Sequence, residues 1–235
     1  FEIFNIPMIL AVEELANKIS NTQYVYTIEG SIFTQDMKRY DVFTLREPLN
    51  NAIAHQDYSK GSMIDVIEYQ DEKLVFLNKG QFIPKSVEDV VTEDIPESFY
   101  RNRYLAETMR NVKMVDTEGG GIRKLYMQQK KRFFPMPEYD LNGMQVKCTI
   151  QGNVLDENFA KILVNNPDLS LPEIMLLDSV QKHKPLTDES ISYLRKKKYI
   201  EGRKPHIYLS MSIAGKSKHV GLKTSYIKNK SFDDD

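Results

Sequence analysis

Apolar residues recur at intervals of three and four in M-I-L-A-V-E-E-L-A-N-K-I, Met8 to Ile19, and this spacing predicts an amphipathic helix closed by Asn21. Tyr24 to Phe33 alternates loosely, as a strand or ribbon does, and Tyr40 to Arg46 leads into a second helix that ends at Asp57 and Tyr58. Met63 to Tyr69 then has the period of a strand, and Lys73 to Leu77 is its hairpin partner across Gln70-Asp71-Glu72. Pro84 starts a short helix through Val91, and Tyr104 to Val112 reads as another. Gly119-Gly120-Gly121 enters a helix reaching about Gln129, and Asp140 to Ile150 alternates as the last strand of this part.

Beyond Gly152 the pattern changes to short helices. Asp156 caps one through Leu163, and Ser170-Leu171-Pro172-Glu173 is a capping box opening a helix to about Gln181. Thr187 caps a third, with Ile191 and Leu194 on its core face. Two extended stretches, Lys198 to Ile200 and His206 to Leu209, flank a turn at Glu201 to Pro205. Helices followed by a basic hairpin are the order of a winged helix, whose third helix is the one presented to a major groove. The expected domains are 1–152, 153–213, and 214–235 as a basic tail or the start of a truncated further element.

At 235 residues the chain is long enough for one large core or two modest ones. Its single cysteine, Cys148, excludes an intrachain disulfide framework and reads as a packed strand residue in a reducing compartment. No stretch approaches the roughly 20 apolar residues that cross a bilayer, and the first residues lack the basic start of a secretion signal. A cytoplasmic protein with no membrane partner is expected, and the missing initiator methionine points to a piece of a longer chain. The net charge of −1 conceals a segregation: residues 1–181 carry 27 acidic against 19 basic side chains, and residues 182–230 carry 13 basic against 3 acidic. A nucleic-acid partner is therefore expected for the second part alone.

The segment Leu45 to Tyr58, L-R-E-P-L-N-N-A-I-A-H-Q-D-Y, spaces Glu47, Asn51 and His55 by four residues, which places them on one helix face beside Leu49, Ala52 and Ile53. A carboxylate, an amide and an imidazole in a row suit a metal-phosphate or a reactive water better than packing. The glycine run lets the backbone approach a ligand, with the following helix start offering N–H groups to a phosphate. A purely structural turn is the alternative.

R-E-P-L-N-N-A-I-A-H-Q-D-Y-S, L-V-F-L-N-K-G, R-N-R-Y-L-A, E-G-G-G-I and L-R-K-K-K-Y-I-E-G-R-K-P, taken in order, resemble the C-terminal part of bacterial proteins classed as transcriptional regulators or ATP-dependent DNA helicase-related proteins. The resemblance covers most of residues 1–213. It implies an α+β chain: a Bergerat-type (GHKL) ATPase-like α/β sandwich, as in gyrase, MutL and histidine kinases, with helices covering a mixed sheet, followed by a C-terminal winged helix. In such a domain Glu47 corresponds to the carboxylate that orients the attacking water, and Asn51 to the oxygen ligand of Mg²⁺ on the nucleotide phosphates. Asn78 and Gly80 stand at the strand end where those ATPases read adenine with an aspartate and glycines, and an asparagine there departs from the pattern. Gly119 and Gly121 match the lid around the phosphates. Arg101, Asn102 and Arg123 are further anion contacts, and His55 is a candidate phosphate contact or a brace of the helix end.

The function expected is a transcriptional regulator that binds double-stranded DNA through its winged helix and responds to ATP and Mg²⁺ in the ATPase-like domain. Arg195, Lys196, Lys197 and Lys198 are the first candidates for DNA phosphates, Arg203 and Lys204 belong to the wing, and Ser190 and Ser192 are placed for base edges. Winged helices often act in pairs, so a homodimer is an expected partner. An active ATPase is one alternative, and a degenerate scaffold serving dimerisation is the other. A helicase motor is not expected, because no G-x-x-x-x-G-K-[ST] loop occurs in the chain.

Overall fold

The computed structural model describes residues 2–20, 23–28, 34–84, 86–92, 100–115, 120–210 and 222–227, with the backbone alone for 23–28, 34–37 and 222–227. In chain order its helices are α1 (Met8–Lys18), α2 (Val42–His55), α3 (Val87–Thr92), α4 (Arg103–Asn111), α5 (Gly121–Lys131), α6 (Glu157–Asn165), α7 (Leu171–Gln181) and α8 (Asp188–Lys196). Its strands are β1 (Gln23–Ile28), β2 (Thr34–Lys38), β3 (Asp65–Tyr69), β4 (Lys73–Lys79), β5 (Glu138–Asp140), β6 (Gln145–Gln151), β7 (Ile200–Arg203), β8 (His206–Leu209) and β9 (Leu222–Ile227). They form two compact units. One comprises Phe1–Asn21, Tyr40–Gln128 and Pro137–Gly152, and the other Thr22–Arg39, Gln129–Met136 and Asn153–Asp235.

The first unit is a sheet of order β3-β4-β6-β5 with helices packed on it. Every described pairing in it is antiparallel, where the resemblance implies a mixed sheet. The register sets Phe76 opposite Cys148 and Leu74 opposite Ile150, so alternate residues of β4 and β6 share one face. That face packs with Leu45, Leu49 and Ile53 of α2, Ala106 and Met109 of α4 and Leu125 of α5 in one core. At about 1.5–3 kcal/mol for each large apolar side chain buried, this packing is the main attraction holding α2 to the sheet.

Asp41 starts α2, its carboxylate accepting from the Thr44 N–H at 2.6 Å. The other end is fixed by side chains rather than solvent. Gln56, fully buried, donates to the Ser62 carbonyl and accepts from the Lys79 N–H, both at 2.7 Å, while the Asp57 N–H reaches the Lys79 carbonyl at 2.7 Å. Asn102 donates from Nδ2 to the carbonyls of Ala54 (3.1 Å) and Gln56 (2.8 Å). Arg101 donates from Nε to the His55 carbonyl (3.1 Å) and from Nη2 to that of Gln81 (3.0 Å). The carbonyls that a helix end leaves unpaired are thus taken up, and the polar face of α2 is held in register with the end of β4.

The second unit contains α6, α7 and α8 followed by the antiparallel β7-β8 hairpin, and a three-stranded sheet of order β2-β1-β9. The capping box at Ser170 and Glu173 opens α7 as its sequence predicts. Asp178 is buried and accepts from the Met136 N–H (2.9 Å), Gln181 Nε2 and Lys182 Nζ (both 2.7 Å), and Lys182 also donates to the Met136 carbonyl at 2.7 Å. Burial raises the Asp178 carboxyl above the usual carboxylate range, against the opposing pull of Lys182.

Two expectations are corrected. Asp140 to Ile150 is not one strand: Asn142 turns back on the Asp140 carboxylate, Gly143 takes a left-handed φ of 81°, and β5 is left separate from β6. Within the segment after Ala214, expected as a basic tail or the start of a further element, Leu222–Ile227 forms β9, which is a strand rather than a tail and pairs with β1 along its whole length. Among the described residues no helix is long and apolar enough to cross a membrane.

Candidate functional site

The helical spacing of Glu47, Asn51 and His55 brings all three to the wall of one pocket of about 130 Å³ in the first unit. The sheet contributes Phe76 and Asn78 from β4, Val146 and Cys148 from β6, and Tyr139 from β5. The start of α5 contributes Gly120, Gly121 and Ile122, and Phe82, Ile83, Pro84, Val90 and Tyr100 add apolar and aromatic surface. A largely apolar enclosure with a few convergent polar groups is the usual character of a small-molecule site.

Glu47 is 9% exposed, and Asn51 Nδ2 donates to its Oε1 at 3.0 Å. With one amide hydrogen committed to Glu47, the Asn51 oxygen accepts no hydrogen bond among the described residues. The Glu47 carboxylate also packs on the first residue of α5. A β-carbon at Gly121 would stand 1.6 Å from Oε1 and 2.4 Å from Cδ, so any side chain there collides with Glu47. The glycine serves close approach.

His55 stacks on Tyr100, ring centroids 5.5 Å apart and planes at 26°. Burial lowers its pKa to about 4, with the positive charge of Arg101 adding to the effect, so the imidazole is neutral at pH 7. Asn78, 7% exposed, donates from Nδ2 to the Lys79 carbonyl at 3.2 Å, and its oxygen accepts no bond among the described residues. Cys148 and Tyr139 are directly opposed across β5 and β6. Burial pushes the Cys148 thiol up to about 12 and the Tyr139 hydroxyl well above its ordinary value, so neither ionises near neutrality.

The remaining candidates lie elsewhere. Gly80, at a left-handed φ of 111°, makes room for Arg101, whose Nε would be 2.9 Å from a β-carbon there. Arg101 and Asn102 brace the end of α2 rather than line the pocket, and Arg123 Nη1 reaches the Thr92 carbonyl at 3.5 Å. Gly119 lies outside the described residues. Tyr100, Phe82, Tyr139 and Cys148 line the pocket without being singled out by the sequence pattern as site residues. For Cys148 a signal is present in M-Q-V-K-C-T-I, whose alternation places it on the same face as Val146 and Ile150.

In the second unit Arg195, Lys196, Lys197, Lys198, Arg203 and Lys204 are exposed on α8, the turn after it and the hairpin. Arg195 Nη2 donates to the Gly202 carbonyl at 2.8 Å, and Lys204 pairs with Asp188 at 2.6 Å, so helix and hairpin are cross-linked at both ends of α8. Lys197 lies over the Tyr193 ring at 5.8 Å and 4.0 Å from Glu173. Ser190 meets the Thr187 cap, its N–H donating to Thr187 Oγ1 at 3.2 Å, and Ser192 is exposed.

Residues 61–150 match the family described as "Putative ATP-dependent DNA helicase recG C-terminal". The match takes in the sheet and the start of α5 but not α2, which carries Glu47, Asn51 and His55. No curated protein matches the chain. Among solved structures it is similar to the DIP2311 protein from Corynebacterium diphtheriae, with a TM-score of 0.54 and 16% identity, over 88% of this chain and 46% of that one. The chain thus spans less than half the length of that protein, and the likeness is one of fold. The family match, whose description speaks of an ATP-dependent DNA helicase, concerns residues 61–150 alone, under half of the chain.

Proposed function

We propose that the first unit binds an adenine nucleotide with Mg²⁺, and that α6, α7, α8 and the β7-β8 hairpin form a winged helix for double-stranded DNA, making the chain a nucleotide-responsive DNA-binding regulator. The observation that carries the nucleotide part is the convergence of Glu47, Asn51, Asn78 and Gly121 on one apolar pocket from three separated stretches of sequence.

The donor set suits both ends of the ligand. With an amide hydrogen engaged by Lys79, Asn78 presents an acceptor oxygen, which matches the exocyclic amine of adenine as the expected aspartate does. Tyr100, His55 and Phe82 provide planar surface for a base. Among the described residues no group of three or more His, Cys, Asp or Glu could hold a metal. Mg²⁺ needs no such group when phosphates and waters fill most of its shell, and the oxygen of Asn51 is a hard ligand of the right kind. When bound, the ion supplies positive charge for the phosphates.

Support for the DNA part is the run of exposed cations on α8 and the hairpin, cross-linked as one surface. It also draws on the reference to DNA in the matching family's description. Phosphate contacts of this kind give affinity without sequence preference. The rival reading makes the Glu47–Asn51 pair a purely structural bond in an inert scaffold. Calorimetric titration with Mg-ATP separates the two: saturable binding weakened by Asn51→Ala supports the nucleotide site, and unchanged behaviour of the variant supports the scaffold.

A further inference from the structure

The exposed cations of α8, the turn after it and the β7-β8 hairpin are divided by the contacts they make inside the second unit. Lys204, in the hairpin turn, reaches back to the first turn of α8 and pairs with Asp188 at 2.6 Å. That hydrogen bond and the charge of Lys204 hold the Asp188 carboxyl below the usual carboxylate range, so the pair is ionised at neutral pH. Arg195 gives Nη2 to the Gly202 carbonyl, and Lys197 stands 4.0 Å from Glu173. Lys196, Lys198 and Arg203 differ: their side chains have no hydrogen-bond or ion-pair partner among the described residues. Arg203 owes this to its neighbours on the hairpin. It is directly opposed to His206 across the register, and Glu201, two residues before it on β7, turns its carboxylate to the Ser210 hydroxyl.

The division matters to a polyanion. A phosphate that meets Lys196, Lys198 or Arg203 displaces only water from the cation, and the duplex sheds a counterion. A phosphate that meets Lys204 must displace Asp188, and the freed carboxylate collects a counterion in turn, so the exchange of one anion for another gains little. We infer that duplex DNA is met by Lys196, Lys198 and Arg203, at the end of α8 and the edge of the hairpin, and that Asp188 withholds Lys204 from it. The inference rests on the DNA reading of this unit and deepens it by naming which of its cations meet phosphate. Asp188 thereby sets the affinity of a surface it does not itself join.

The test is fluorescence-anisotropy titration of two end-labelled DNA duplexes of unrelated sequence with the whole chain, over a range of salt concentrations. Lys196→Ala, Lys198→Ala and Arg203→Ala are each expected to weaken binding to both duplexes at least threefold, while Lys204→Ala stays within twofold of the wild type. Asp188→Asn removes the charge that engages Lys204, and Thr187 still caps α8. It is expected to tighten binding at least threefold and to steepen the slope of log affinity against log salt by about 0.9, one further phosphate. In the double variant Asp188→Asn with Lys204→Ala the gain is expected to vanish, because it acts through Lys204. If Asp188→Asn does not fold, Lys204→Ala beside Arg203→Ala decides alone, since both leave α8 untouched. A loss in Lys204→Ala equal to that in Arg203→Ala overturns the inference. So does a gain in Asp188→Asn that is absent or that survives in the double variant, and in each case DNA binding itself stands. Failure of the folded wild type to bind either duplex at low salt overturns the DNA reading and the inference with it.

Discussion

The carboxylate of Glu47 on α2 packs on the backbone of Gly121 at the start of α5, two residues 74 positions apart whose approach leaves no room for a β-carbon. This packing fixes where the carboxylate stands relative to the helix head, and it makes Gly121 a point of leverage on the pocket. In Gly121→Ala either Glu47 must swing away from Asn51 or α5 must shift. Adenosine and Mg-ATP affinities are expected to fall at least tenfold, with a stability loss of about 1–3 kcal/mol for the overpacking. Titration and urea unfolding measure the two effects, and a variant with wild-type affinity would show that the close approach of Glu47 and Gly121 does not shape the site.

The end of α2 depends on Gln56. Its amide satisfies the Ser62 carbonyl and the Lys79 N–H at once, both inside the first unit. Gln56→Ala takes this partner from the Ser62 carbonyl and the Lys79 N–H, which belong to a half-buried and an exposed residue, and is expected to destabilise the unit by about 1–2 kcal/mol. A urea-unfolding difference below about 0.5 kcal/mol would mean that water replaces the amide without loss.

His55 supplies a pH dependence whose sign is fixed. Its folded pKa, about 4, lies below the ordinary value of 6.5, so the unfolded chain takes up the proton first as pH falls. The stability concerned is present above pH 6.5 and is lost progressively towards pH 4, amounting to about 2 kcal/mol by pH 5. Unfolding curves between pH 5 and 7 should show this slope in the wild type and lose it in His55→Gln. The same slope in both proteins would place its origin elsewhere.

Much of this architecture is legible from local pattern. The four-residue spacing on α2, the capping box at Ser170 and the hairpin alternation of β3 and β4 are short-range signals, and each element forms where its signal lies, although α2 already starts at Val42, inside the stretch Tyr40 to Arg46 read as leading into it. What escapes local reading is long-range pairing. Leu222 to Ile227 pairs with Gln23 to Ile28 across nearly two hundred residues, and nothing in either segment names the other. The pocket divides in the same way. Glu47, Asn51 and His55 announce themselves by period, whereas Tyr139 and Tyr100 reach it through the register of β5 and the turn ahead of α4. Arg101 and Asn102, read as anion contacts, instead engage the carbonyls that end α2, a demand visible only once the helix end is placed.

For the second unit, the cations of α8 and the hairpin are expected to act independently on DNA phosphates. Lys196→Ala with Arg203→Ala should lower the slope of log affinity for duplex DNA against log salt by about 2, at ~0.9 for each phosphate that is no longer neutralised, with little dependence on DNA sequence. A slope equal to that of the wild type would remove this surface from the interface.

The central claim is that the α2 face and the sheet enclose a working nucleotide site. Calorimetric titration with Mg-ATP, wild type beside Asn51→Ala, tests it most directly. The account predicts saturable binding by the wild type and at least tenfold weaker binding by a variant that remains folded. Equal binding by the two proteins, or none by a folded wild type at millimolar ligand, would contradict it.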